Sequence, residues 1–570
     1  MPSLTRKTIA GKPYYYLREC QRVNGKPKIV WTYYLGSPQR LFERLTRPEP
    51  LRAELFEFGA STATFDIAKA LGIVETIDRH VPKRGSNGPS VGQYLLLAAL
   101  NRCIQPCSKT LLADWYSKTV LRRVVPLSAG QLTSQRFWDN MNRVDKGQIV
   151  AIERDISAKA VSEFGLNLRC LLFDATNFFT FVDSFNDSSE LAQRGHSKEG
   201  RDNLRIVGLA LLVSSDGDVP LFHHTYPGNQ HDSVTFGSVV EELANRCRDL
   251  SHGVSDITLV FDKGNNSAQN LAAVGQGPFH FVGSLVPTQH PKLLAIPRRR
   301  MRRLDSERLP AVWSYRTRQV VFGVERTVLC TFNQPLFDAQ RKTLQREIRM
   351  RRRKLKKLQE ALDRYRERPR GKAPSVPGVE KQVKLILNGR HMKDLFAAKV
   401  SAGRDGLPRL RFRFQDEAWR NLRASLLGKT ILFTDRDDWS DEEIVLAYRS
   451  QYHVEGAFRC MKDPHFLTFR PTFHWTNQKL RVHAFYCVLA LMIASLLRRK
   501  LAHAGISLSV AKMMRQLAAI HEVAVVYPGT MPTGKLHVCT VLSQLDNTQR
   551  AMLDVLDLER YRTSSEKYPK

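Results

Sequence analysis

The sequence has no surplus of acid, no cysteine framework and no apolar run long enough to span a bilayer, and each absence removes a class of function. Lys and Arg number 88 against 55 Asp and Glu in 570 residues, a formal net charge of +33. A chain of this size and sign is suited to a polyanionic partner, and nucleic acid is the expectation. Nine cysteines are scattered along it, and the nearest pair, Cys103 and Cys107, has no second pair to complete a zinc site. They read as reduced thiols. The most apolar stretch, Ala484 to Leu497, falls short of the roughly twenty residues that cross a bilayer and is flanked by Arg and Lys. A buried helix and no membrane partner are expected. The segment MPSLTRKTIAGKPYYYL has no apolar core of signal-peptide length, so a cytoplasmic location is expected.

What is present divides the chain into several regions. Residues 1–46 hold the β-type runs PYYYLREC and KIVWTYYLG around a turn at Asn24-Gly25, a small basic hairpin module. Residues 47–165 are helical in pattern, for DNA-end binding or dimerisation, with Ser128 as a cap. Short helices joined by tight turns suit a helix-turn-helix and an ordinary bundle equally. Residues 166–290 carry CLLFD, LRIVGLALLVSSDGDVPLFHHTYPG, ITLVFDKG and HFVGSLVP, expected as strands of one sheet. Asp216-Gly217 marks a meander turn, and SVTFGSVVEELANRC a helix before the next strand.

Residues 291–428 read as an insertion containing a basic helix over 341–370, where 14 Lys or Arg face 4 Asp or Glu, a net +10. Leu344, Ile348, Leu355, Leu358, Leu362 and Tyr365 fall on heptad positions, with Arg351 interrupting, so one arm of a coiled coil is conceivable. The run Arg351, Arg352, Arg353 makes a phosphate-binding helix the better reading than a solvated surface. Residues 429–500 begin with the strand GKTILFTD and continue as a helix from Asp441 to Met461, capped by Ser440 with Glu443 three residues on. Residues 501–570 read as a helical C-terminal region.

The chemistry sits on three acids. Asp174 ends the apolar strand CLLFD and Asp262 ends ITLVFD, and the carboxyl ends of strands in an α/β sheet are where ligands bind. Neighbouring carboxylates repel unless cations lie between them, and hard oxygen donors suit Mg²⁺. Counting from Glu455, the residues Tyr448, Gln451, Tyr452, Arg459 and Lys462 share its helix face. An acid beside cations and tyrosines suits a metal next to a phosphate backbone.

On these residues the chain resembles the DDE transposases of bacterial insertion sequences, in particular the "IS four" family with its Tyr-Arg-Glu-Lys signature. FDAT at Asp174 to Thr176, FDKG at Asp262 to Gly264, and Tyr448, Glu455 and Lys462 in YRSQYHVEGAFRCMK carry the resemblance. GHSKEGRDNLRIVGLALLV and PGNQHD are similar to the branch with a long insertion before the glutamate. Gln451 stands where the signature has Arg, which leaves the phosphate contact to Arg459 or Arg449.

The resemblance implies an α/β, RNase H-like catalytic domain, a mixed sheet with helices, interrupted by a large insertion and preceded by a helical DNA-binding domain. It implies two Mg²⁺ ions, replaceable by Mn²⁺, held by Asp174, Asp262 and Glu455, with Tyr448, Arg459, Lys462 and Arg449 on DNA. The partners would be terminal inverted repeats and target DNA, handled by a homodimer in a bacterial nucleoid through cut-and-paste transposition. A metal-dependent RNase H-like nuclease or resolvase would carry the same acids.

Overall fold

The computed structural model describes residues 2–23, 26–45, 50–83, 88–182, 189–195, 200, 203–230, 232–251, 256–275, 277, 279–470, 472–527 and 537–562. The turn expected at Asn24-Gly25, His231 and most of GHSKEGRDN lie outside them. The chain forms two compact units: Met1–Val144 with Asp463–Pro471 and Leu489–Lys570, and Asp145–Lys462 with Thr472–Val488.

The second unit is a mixed α/β structure built on one sheet of ten strands. Its first strand, β1 (Cys170–Phe179), is followed by β2 (Arg205–Ser214), β3 (Pro220–Pro227), β4 (Ile257–Phe261) and β5 (Phe279–Leu285). β1 to β3 are successive antiparallel neighbours, while β4 runs parallel to both β1 and β5. Every residue of β2 and of β4 is buried, as expected of strands covered on both faces. The meander turn falls where predicted, with Gly217 at φ 88° and Asp218 at φ 59°. Helix α1 (Lys146–Phe164) precedes β1, and α2 (Asp232–Ser251) fills the segment before β4.

The expected insertion over 291–428 divides into two parts. Strands β6 (Val312–Val321) and β7 (Val324–Asn333) extend the sheet, joined to β5 through β10 (Lys429–Thr434). The other part has its own core. Helix α3 (Gln334–Glu367) buries Ile348, Leu355 and Leu362 against α4 (Val376–Ile386) and the hairpin of β8 (Phe396–Ala402) and β9 (Pro408–Phe414). The heptad seam is thereby covered by the chain's own residues, so the coiled-coil arm is not formed with it. The interrupting Arg351 lies along that seam, its side chain 15% exposed and paired with Glu347 at 3.2 Å.

The first unit surrounds the helix Val91–Ile104, in which every residue except Gln93 is buried behind a capping box of Ser90 and Gln93. Ser128 caps a 3-10 turn, Ala129–Gln131, and Thr133 caps the following helix Ser134–Met141. Two expectations need correction. Residues 501–570 are not all helical: the alternating HEVAVVY forms the strand His521–Tyr527, which pairs with His537–Leu542 and with Arg52–Glu57. The N-terminal module is a three-stranded sheet, Pro2–Ile9, Lys12–Val23 and Lys26–Gly36, because SLTRKTI pairs along the second run. Helix α7 (Asn477–His503) holds the apolar stretch read as a buried helix, and 94% of its most apolar window is buried.

Leu355 is fully buried and Lys356 exposed. Leu355→Ala should lower the opening free energy of the α3 amides by about 2–5 kcal/mol in native-state hydrogen exchange, with Lys356→Ala within about 0.5 kcal/mol. Glu57 caps the helix Gly59–Ala70 through the amides of Ala60, at 2.7 Å, and Ser61, at 2.9 Å. Burial nevertheless raises its pKa from 4.5 to about 7. The folded state therefore holds this proton more tightly than the unfolded chain does. The stabilisation is complete below the unfolded pKa and is lost as pH rises through the folded one. Unit stability should fall by roughly 3 kcal/mol from this group between about pH 4.5 and 8, and Glu57→Gln should flatten that dependence in thermal melts.

Candidate active site

The sheet supplies one side of the site. β1 does not stop at Asp174, as expected, but continues to Phe179 because β2 pairs with it along its whole remaining length. The parallel ladder with β4, however, closes at Phe173 and Phe261. Asp174 is the next residue on β1 and Asp262 the first residue beyond β4, so both follow directly on the last paired row. β5 enters the same row, since Val282 pairs with Val260 two residues earlier and Ser284 Oγ lies 3.5 Å from Asp262 Oδ1. Thr176 is two residues beyond Asp174 and therefore on its face of the strand. Both aspartates are partly exposed, while the apolar residues preceding them are buried.

Helices supply the other side. The helix expected from Asp441 to Met461 is two helices, α5 (Asp441–Arg449) and α6 (Tyr452–Lys462). Ser440 and Glu443 form the predicted capping box at the start of α5. The break falls at Ser450, whose hydroxyl donates to the carbonyl of Ala447 at 2.5 Å, a local bond that competes with helix continuation. α5 packs on β5, β10 and β4, and α6 on β1 and β2. A bond between His453 and Asp218 ties the start of α6 to the meander turn.

The break divides the single face expected from Tyr448 to Lys462. Val454, Ala457, Phe458 and Met461 form the apolar stripe that α6 buries, leaving Glu455 and Arg459 exposed beside it. At the end of α6, Lys462 Nζ donates to Thr176 Oγ1 at 2.9 Å, beside Asp174. At the end of α5, Tyr448 is half-buried. Burial pushes its phenol pKa up, a bond to Ser284 opposes this, and the charges of Asp262 and Glu455 add to the rise. The charges of both the sheet aspartate and the helix glutamate therefore reach Tyr448. Gln451, in the turn, has its Nε2 buried without a hydrogen-bond partner.

The donors in this row are oxygens only: the carboxylates of Asp174 and Asp262 with the hydroxyls of Ser284 and Thr176. That set fits a hard divalent cation and not a thiolate or imidazole metal. Among the described residues no three His, Cys, Asp or Glu side chains are gathered closely enough to hold an ion. Asp174 and Asp262 are paired on the sheet, and Glu455 belongs to the facing helix.

Arg449 is half-buried, and that burial lowers its pKa. Arg351, expected on phosphate, is turned into the α3 seam and engaged by Glu347. Arg352 and Arg353 are exposed on the same helix, with the Arg352 guanidinium 5.2 Å from the Phe414 ring centroid. Trp313 packs beside Arg298 at 3.6 Å and against Phe332, which places it in a local aromatic cluster. Sequence reasoning assigned no role to Ser284 or Thr176. Ser284 was accessible through the rule that locates ligands at strand carboxyl ends, since HFVGSLVP is the third parallel strand.

No family model and no curated protein matches the chain. Among solved structures it is similar to the piggyBac transposase synaptic complex with hairpin DNA, at a TM-score of 0.36 and 10% identity over 82% of each chain.

Proposed function

We propose that the chain is a DNA transposase with an RNase H-like catalytic core, in which Asp174, Asp262 and Glu455 hold two divalent ions. The observation that carries the reading is the parallel register of β1 and β4, whose last paired row directly precedes Asp174 and Asp262, with Glu455 on the helix that packs on β1 and β2. The antiparallel meander leading into parallel strands supports the RNase H-like reading. The oxygen-only donor set supports Mg²⁺, with Mn²⁺ able to replace it.

When bound, two such ions activate an attacking oxygen and stabilise the leaving oxygen at phosphorus. Asp174, Asp262 and Glu455 would hold these ions through their carboxylate oxygens. Lys462, held against Thr176 beside Asp174, places a cation next to the scissile phosphate. Tyr448 keeps its proton, since burial and two carboxylates raise its pKa, so it remains a donor at the site. Arg459, exposed one turn beyond Glu455, takes the phosphate contact that Gln451 cannot provide through charge.

In the first reaction water attacks phosphorus and the 3′ oxygen leaves. In the second that 3′ hydroxyl attacks target DNA, again displacing one oxygen by another. No covalent bond to the protein is needed. The partners are terminal repeats and target DNA in the bacterial cytoplasm, with a homodimer pairing the two ends.

Asp174→Ala, Asp262→Ala and Glu455→Ala should each reduce Mg²⁺-dependent cleavage and joining of the element's own ends to the level seen in EDTA. Cleavage without joining by the wild type would favour a nuclease or resolvase. Joining that survives one substitution would remove that residue from the site. Arg459→Ala should weaken binding of end DNA far more than Arg449→Ala, because the Arg449 guanidinium is partly buried; equal losses in a gel-shift titration would overturn the assignment.

A further inference from the structure

The N-terminal sheet has a composition and exposure that its own packing does not explain. Residues 2–36 hold seven Lys or Arg and one Glu, a net charge of +6, with six aromatic residues among them. The strands Pro2–Ile9, Lys12–Val23 and Lys26–Gly36 pair only with one another. Among their described residues Gly36 alone is buried, and Tyr33 is 57% and Tyr34 44% exposed. An ordinary exposed sheet has one face on a core and one in water. Here the helix Pro38–Leu45 packs on the second and third strands, yet neither face is buried as a core among the described residues.

The register sorts its side chains. Ser3, Thr5 and Lys7 on the first strand, Tyr14, Tyr16 and Arg18 on the second, and Thr32 and Tyr34 on the third share one face. Their contacts agree with it. The Tyr16 ring lies 5.2 Å from that of Tyr34, and Lys7 Nζ and the Arg18 guanidinium are each 5.7 Å from the Tyr16 centroid. The single acid, Glu19, is on the opposite face and accepts a bond from Trp31 Nε1 at 2.8 Å. The first face therefore presents cations and hydroxyls with no carboxylate among them.

We propose that this three-stranded sheet is a duplex-DNA-binding surface, set by its Lys7, Tyr16 and Arg18 face into the major groove. Two strand intervals of about 4.8 Å make the sheet about 10 Å across, within the roughly 12 Å width of a major groove that admits a two-stranded β-ribbon. Double-stranded RNA is a poor fit, because its major groove is too deep and narrow for side chains to read. Single strands are a poor fit as well. They need open aromatic faces for base stacking, and these tyrosine rings are packed on one another and under cations. The inference rests on the charge, register and exposure of the sheet and is independent of the carboxylate site.

The test uses the full chain in EDTA and a fluorescein-labelled duplex of random sequence, with anisotropy read across a salt series. The Lys7→Ala, Arg18→Ala double variant should make the slope of log K against log salt shallower by about 2, one for each lost phosphate contact. The assay runs without divalent ions and reads binding alone, so failure of the sheet and failure of the catalytic reading are read separately. Hydroxyl-radical footprinting of the wild type gives a readout that needs no variant. Duplex should protect Tyr14, Tyr16 and Tyr34 and leave Trp31 and Tyr33 reactive. An unchanged slope, protection of the opposite face, or a loss confined to a single-stranded probe or to self-association would each overturn the proposal.

Discussion

Asp174 and Asp262 stand side by side because β1 and β4 run parallel with their last paired row at Phe173 and Phe261. Carboxylates carried at the ends of adjacent strands repel one another when both are ionised and nothing positive lies near. The surrounding groups answer that repulsion. Ser284 places a hydroxyl at Asp262, Lys462 brings an ammonium to Thr176 beside Asp174, and the Tyr448 phenol holds its proton next to Asp262 and Glu455. A divalent ion would meet oxygens of the kind it prefers there, without competing sulfur or imidazole.

The helices are arranged to serve that row. A single straight helix from Asp441 to Met461 would have carried Tyr448 and Glu455 on one axis over one part of the sheet. The break at Ser450 lets α5 lie on β5, β10 and β4 while α6 lies on β1 and β2. Each then delivers its polar residue from a different direction. The apolar stripe of α6 fixes its roll, and the bond of His453 to Asp218 fixes its start.

The long segment between Asp262 and Glu455 does two separate jobs. β6 and β7 widen the sheet beyond β10, so that β10 becomes an interior strand and not an edge. The α3 helix, α4 and the β8–β9 hairpin form a second hydrophobic core. The cations of α3 are sorted by that core: Arg351 is drawn into the seam, while Arg352 and Arg353 remain in solvent.

By itself the sequence determined which segments become the central strands and where one helix begins. The runs CLLFD, ITLVFD and HFVGSLVP are strands because apolar and β-branched side chains fill both faces. Ser440 and Glu443 cap a helix because their spacing permits reciprocal bonds to orphan amides. The strand HEVAVVY was also legible, since its alternation is that of a half-buried strand, although it was read as part of a helical region. Other features were decided only by tertiary structure. Periodicity runs unbroken through Ser450, so the division into α5 and α6 shows only in the structure, where the Ser450 hydroxyl bonds back to Ala447 and the two helices pack on different strands. The heptad pattern of α3 could not say whether its seam meets a second helix or a hairpin of the same chain. The row of Asp174, Asp262 and Ser284 exists only through the parallel register of three strands far apart in sequence, because register is a property of paired strands and no single segment contains it.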